Sequence, residues 1–110
     1  MLKNLNIGYL LDFYKNILPE KQAQMLDMYY NEDLSLKEIA EDFNITRQGV
    51  RDYIKRGEET LINLEQKLML VKKIKMIEED ISSIKSFAKE KEVNSEILDE
   101  LDKLSEKLYL

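Results

Sequence analysis

One stretch limits what this chain can fold into more than any other. It is SLKEIAEDFNITRQGVRDYIKR, from Ser35 to Arg56, whose spacing predicts two helices joined by a tight turn. Leu36, Ile39, Ala40 and Phe43 recur three, one and three residues apart, which places them on one inward side of a short helix. Ser35 stands before that run with Glu38 three residues on. The serine oxygen can accept from a free helix-start amide while the glutamate reaches back, so the helix starts at Ser35. Asn44 falls where the chain must reverse, and asparagine tolerates the left-handed backbone region that most residues avoid. Thr46 can then cap a second helix, in which Val50, Ile54, Leu61, Leu64 and Leu68 continue the inward stripe. Arg47, Gln48, Arg51 and Lys55 lie on its other side.

Charge gives that second helix a chemistry. The net charge of −5 has the wrong sign for a protein that coats nucleic acid nonspecifically. Its distribution says more. Residues 1–45 hold four lysines against eight acids, and residues 58–110 hold nine lysines against thirteen acids. Between them, Thr46 to Gly57 sets Arg47, Arg51, Lys55 and Arg56 against Asp52 alone. Arg47 and Arg51 can each present two parallel donors to a guanine edge, Gln48 can pair with adenine, and Lys55 or Arg56 suits a phosphate. Thr46 and Gln48, near the helix start, also fit contacts to phosphate. The plain alternative is a solvated helix face paired with Asp52 and Glu59. The capped turn and the focused charge favour double-stranded DNA. Gly49 costs about 1 kcal/mol relative to alanine inside a helix. Either close approach to a phosphate or base edge, or tight packing against the preceding helix, accounts for it.

The rest of the chain supports this motif. Ile7, Leu10, Leu11, Tyr14, Ile17 and Leu18 predict a first amphipathic helix over 7–18, stopped by Pro19, which opens a second over 19–30. Met25, Leu26, Met28, Tyr29 and Tyr30 form the apolar part of that helix and are read as core. After Gly57 the helical pattern continues, but the apolar frame slips: Ile74, Ile77, Ile81, Ile84 and Ala88 are out of register with Leu61, Leu64, Leu68 and Val71. A bend or break is therefore expected near residues 68–71. A long helix follows over about 71–89. Asn94 or Ser95 caps a last one holding Ile97, Leu98, Leu101, Leu104 and Leu108. Two such helices make a hairpin too small to bury both stripes alone. A homodimer through Ile74, Ile77, Ile81, Ile84, Ile97, Leu101, Leu104 and Leu108 is expected, with folding back onto the headpiece as the alternative.

The fold expected is all-α: a helix-turn-helix headpiece over residues 1–67, including the extended second helix, and a long C-terminal helical hairpin over 68–110. The capped pair of helices resembles region four of bacterial sigma factors, where the second helix enters the DNA major groove. More of the chain, LDFYKNILPEKQAQMLDMYY through EIAEDFNITRQGVRDYIKRGEETL, resembles the YlxM family of small bacterial helix-turn-helix proteins. That resemblance implies a sigma region four-like fold and a tie to the signal recognition particle pathway. Its proteins or RNA are then implied partners, and a protein-interaction adaptor becomes the alternative to a DNA-binding regulator.

Composition removes other classes. With no cysteine and no histidine, imidazole and thiolate catalysis, disulfides and the usual zinc sites are absent, and no cofactor is expected. GEETL at 57–61 lacks the second glycine and the lysine of a phosphate-binding loop. The run Glu78, Glu79, Asp80 reads as a solvated helix face rather than a divalent-metal site. An enzyme is not expected. No apolar run approaches the roughly 20 residues that span a bilayer, and the start MLKNLNIG lacks a secretory pattern, so no membrane insertion and a cytoplasmic location are expected.

Overall fold

Helical spacing and the breakers between helices decide the architecture. The computed structural model describes Lys3 and residues 5–109, with Leu5 described by its backbone alone. Met1, Leu2 and Asn4, part of the start read for a secretory pattern, lie outside the described residues, as does Leu110. Among the described residues every regular element is helical: α1 (Leu5–Tyr14), a 3₁₀ turn (Lys15–Ile17), α2 (Glu20–Tyr30), α3 (Leu36–Phe43), α4 (Arg47–Leu68), α5 (Leu70–Glu90) and α6 (Ser95–Lys107). The chain divides between Met69 and Leu70 into two compact units.

In the first unit α4 is the hub, and α1, α2 and α3 all pack on it. Leu11, Tyr14, Met25, Leu26, Ile39, Val50, Ile54 and Leu61 are fully buried. Each such aliphatic or aromatic side chain is worth about 1.5–3 kcal/mol in removal from water. Tyr14 and Tyr30 keep their polar ends satisfied by donating to Glu65 and Glu58 of α4, both at 2.7 Å. The first helix stops earlier than the spacing predicts, at Tyr14, and tightens into the 3₁₀ turn. Leu18 precedes Pro19, and proline's ring drives its predecessor out of the helical region: Leu18 sits at φ −73°, ψ 151°. Pro19 is correspondingly the cap of α2 rather than a member of its first turn.

Leu68 departs from the predicted inward stripe, being 42% exposed. Its angular position is right, but it occupies the last turn of α4, beyond the Glu65 level where Tyr14 docks. Met69 then adopts φ 55°, ψ 29° and its N–H closes on the Glu65 carbonyl at 2.8 Å. The frame slip in the sequence is this left-handed residue. Gly57 shows why α2 and α4 come so close. A Cβ there would lie 2.6 Å from Leu26 Cδ1 and 3.2 Å from its Cγ.

The second unit is the hairpin of α5 and α6. Glu92 at φ 52° turns the chain, and Asn94 is the cap of α6, its side chain accepting from the Glu96 N–H at 3.0 Å. Lys85 of α5 pairs with Asp102 of α6. Ile81 and Ala88, on the same face of α5 as Lys85, are buried. The eight-residue seam expected for dimerisation is therefore split. Ile81 is buried, Ile74, Leu101 and Leu108 are half-buried, and Ile77, Ile84, Ile97 and Leu104 are exposed.

Candidate nucleic-acid interface

Local chemistry fixes the α3–turn–α4 geometry. The Ser35 hydroxyl accepts from the Glu38 N–H, and the Ser35 N–H donates to Glu38 Oε1, both at 3.1 Å, so the start of α3 is doubly closed. Asn44 takes φ 54°, ψ 45°, and the following Ile45 N–H reaches back to the Ala40 carbonyl at 3.1 Å. Thr46 Oγ1 then accepts from the Gly49 N–H at 3.0 Å and starts α4. A Cβ on Gly49 would sit 3.2 Å from that same Oγ1 and 3.6 Å from Ile45 Cδ1. The crowding comes from its own cap and turn, not from α3, and the glycine lies in the first turn rather than in the helix interior.

On this frame the six candidate residues fall into two groups. Thr46, Arg47, Gln48 and Lys55 are exposed, and Arg51 is half-buried. Spacings of one, four and eight residues from Arg47 put Gln48, Arg51 and Lys55 within about 100° of the helix circumference. Arg56 stands about 140° round from Arg51. Its guanidinium lies over the Tyr53 ring, 5.5 Å from the centroid, and Lys21 of α2 covers the same ring at 5.2 Å. Arg56 is thus set apart from the other cations. Gln48 is engaged as well: its amide donates to Asp52 Oδ1 at 3.0 Å, one turn on. Asp52 keeps an exposed negative charge between Gln48 and Arg56, and no pairing of Asp52 with a candidate cation is formed among the described residues.

A cleft of about 520 Å³ opens where the first turns of α3 and α4 converge beside α2. Tyr29, Ser35, Leu36, Lys37, Arg47, Gln48 and Arg51 line it. Among the described residues, none of Lys37, Arg47, Arg51 and Lys55 is held in an ion pair. Three cations thus surround one concavity with no carboxylate in its lining, an arrangement that attracts an anion. Lys37 and Tyr29 are the members that sequence reasoning left out. Lys37 vanished in the negative sum of residues 1–45, although its place two residues after the Ser35 cap sets it in the first turn of α3. Tyr29 is core, as its helical spacing predicts, and it also borders the cleft.

Other chemistry is thin. Among the described residues no group of three or more acidic side chains is disposed to hold a metal ion, and no helix is long and apolar enough to cross a membrane.

Comparison with known proteins agrees with this architecture over nearly the whole chain. A UPF0122 protein of Halalkalibacterium halodurans is 42% identical over 106 residues, spanning 93% of this chain and 96% of that protein. The UPF0122 protein YlxM of Bacillus subtilis is 40% identical over 105 residues, with coverage of 93% and 96%. A UPF0122 protein of Desulforamulus reducens reaches 54% identity over 67 residues, a match that spans 61% of this chain and 57% of that relative. Residues 1–105 match the family described as "Putative helix-turn-helix protein, YlxM / p13 like". A capped α3–turn–α4 on an all-helical frame, with these relatives beside it, places the chain in the YlxM/p13-like helix-turn-helix family.

Proposed function

We propose that this protein is a non-catalytic, cytoplasmic DNA-binding regulator. Its α4 enters the major groove in the manner of sigma region four, with residues 1–67 as the reading head and 68–110 as an assembly region. The observation that carries this reading is the set of cations Lys37, Arg47, Arg51 and Lys55, held in no ion pair among the described residues and grouped on the turn-proximal half of α4 and the start of α3. Arg47 and Arg51 supply donors for base edges, while Lys37, Lys55 and the Thr46 hydroxyl supply phosphate contacts at the two helix starts. Asp52 works against the phosphate backbone and holds Gln48.

Selection from a random duplex pool at two salt concentrations tests the reading. An enriched sequence is expected, with log affinity falling by about 0.9 per phosphate contact against log salt. On the enriched duplex, Arg51→Ala should cost about 1–3 kcal/mol, and Asp52→Asn should strengthen binding by removing a repulsive charge. No enriched sequence, or binding of the enriched duplex left unchanged by Arg51→Ala, would rule the regulator out.

A second reading is favoured by the negative balance outside the motif. The net charge of −5 makes most of the surface repel a phosphate backbone. In that reading the protein is an adaptor in the signal recognition particle pathway, gripping its proteins or RNA. Capture of a targeting protein from lysate that survives nuclease treatment, or capture lost with ribonuclease alone, would support the adaptor; capture lost with deoxyribonuclease alone would support the DNA reading.

A further inference from the structure

The hairpin of α5 and α6 leaves half of a coiled-coil pattern uncovered. Ile74, Ile81 and Ala88 repeat every seven residues and are half-buried or buried; Ile77 and Ile84 repeat every seven residues, three positions later, and are exposed. In α6, Leu101 and Leu108 are half-buried, while Ile97 and Leu104, again seven apart, are exposed. A seven-residue repeat with two apolar rows turns both inward when four helices surround it; two helices cover only one row. Nothing in α6 is buried, although its stripe is continuous.

We infer that the row Ile77, Ile84, Ile97 and Leu104 is the contact surface for a second copy of this chain, packed antiparallel to make a four-helix bundle. Two observations choose that occupant and that direction. The Lys85–Asp102 pair sets the level of α6 against α5. Counting from it, Leu104 lies level with Ile84, Ile97 lies about six residues towards the hairpin tip, and Ile77 seven residues towards the other end. The row is therefore nearly symmetric about Ile84, so a two-fold axis there brings Ile77 of one copy into one layer with Ile97 of the other.

Charge points the same way. Divided at the level of Ile84, the open half, residues 70–83 and 104–109, holds four lysines against four acids, while the tip half, residues 85–102, holds three lysines against six acids. Antiparallel packing sets the acid-rich tip of each hairpin on the balanced open half of the other; parallel packing sets the two acid-rich tips on each other. This inference stands independently of what α4 binds.

The test uses the whole chain, which contains no cysteine. Sedimentation equilibrium should show a dimer in the micromolar range, and Ile84→Lys should raise its dissociation constant by at least about 30-fold. Because Ile84 is exposed, the far-UV circular dichroism of that variant at high dilution should match the parent. Under mild oxidation Ile84→Cys should give a covalent dimer. Ile77→Cys should not, since its two copies lie about 20 Å apart across the axis. An equal mixture of Ile77→Cys and Ile97→Cys chains should cross-link to each other. A monomer at all micromolar concentrations, a dimer indifferent to Ile84→Lys, or cross-linking of Ile77→Cys to itself as readily as Ile84→Cys would each overturn the inference.

Discussion

The two units use the same amphipathic grammar and end with different cores. In the first, three helices wrap a fourth, and the stripes of α1, α2, α3 and α4 lose nearly all contact with water at Leu11, Leu26, Ile39, Ile54 and Leu61. In the second, two helices of comparable apolar content share one seam, and Ile77, Ile84, Phe87, Ile97 and Leu104 stay exposed. Amphipathic spacing fixes which side of a helix is apolar; the number of neighbours fixes how much of that side is covered.

That difference sets the largest mutational contrast. Leu61→Ala, which empties a fully enclosed position of α4, should lower the unfolding free energy by about 2–5 kcal/mol. Ile84→Ala, measured at a concentration where the chain is monomeric, should cost less than about 0.5 kcal/mol, as an exposed substitution does. Urea denaturation of both variants at low protein concentration checks the pair. An Ile84→Ala loss as large as that of Leu61→Ala under those conditions would mean that the hairpin face is covered within a single chain.

Glycines sharpen the comparison inside the first unit. Among the described residues Gly8 of α1 has no atom within 4 Å of where a Cβ would stand, so Gly8→Ala should stabilise by about 0.5–1 kcal/mol through the unfolded chain and helix propensity. Gly57→Ala gains the same propensity but drives its methyl to 2.6 Å from Leu26 Cδ1, and Leu26, fully enclosed, has no room to swing away. Overpacking of about 1–3 kcal/mol exceeds the gain, and the net effect should be destabilising. Opposite signs in thermal melts are the expected outcome. Next in size is Thr46→Ala. It removes the acceptor for the Gly49 N–H and should cost about 1 kcal/mol, with most of the fraying confined to the first turn of α4.

Most of this architecture was legible in the chain because its signals are local. The Ser35–Glu38 box, Asn44 in the left-handed region and the Thr46 cap are each decided within four residues, and the structure realises all three. The register slip after Leu68 was equally local, although its agent, Met69 at φ 55°, was not nameable: methionine carries no left-handed preference, and the conflict between two apolar frames selects it. What spacing could not supply was long-range. Gly57 touches Leu26, thirty-one positions away, and nothing near Gly57 announces that. The cleft joins Tyr29, Lys37 and Arg51 from three helices, so a charge tally by segment cancelled Lys37 against acids that point elsewhere. Arg56 shares the charge block of Arg51 in sequence, whereas helical rotation separates them and Tyr53 claims Arg56.

A smaller effect than that of the cap lies at the junction of α2 with the 3₁₀ turn, and it depends on pH. Asp27 accepts from the Asn31 amide at 2.6 Å and lies 3.2 Å from Lys15 Nζ. The Asn31 hydrogen bond, assisted by Lys15 and opposed by partial burial, holds its carboxyl below the ordinary 3.8. A carboxylate whose folded pKa is depressed stabilises the fold above its unfolded value and loses that contribution as pH falls through the folded value. Asp27→Asn should therefore cost less than about 1 kcal/mol at neutral pH, as fits a partly exposed pair. Its urea midpoint should converge on that of the parent as the pH drops below about 3.8. The seam of the hairpin is apolar, so Ile84→Ala should show no such convergence at low protein concentration. A constant gap for Asp27→Asn between pH 7 and pH 3 would assign its effect to packing at the helix junction rather than to the charge on Asp27.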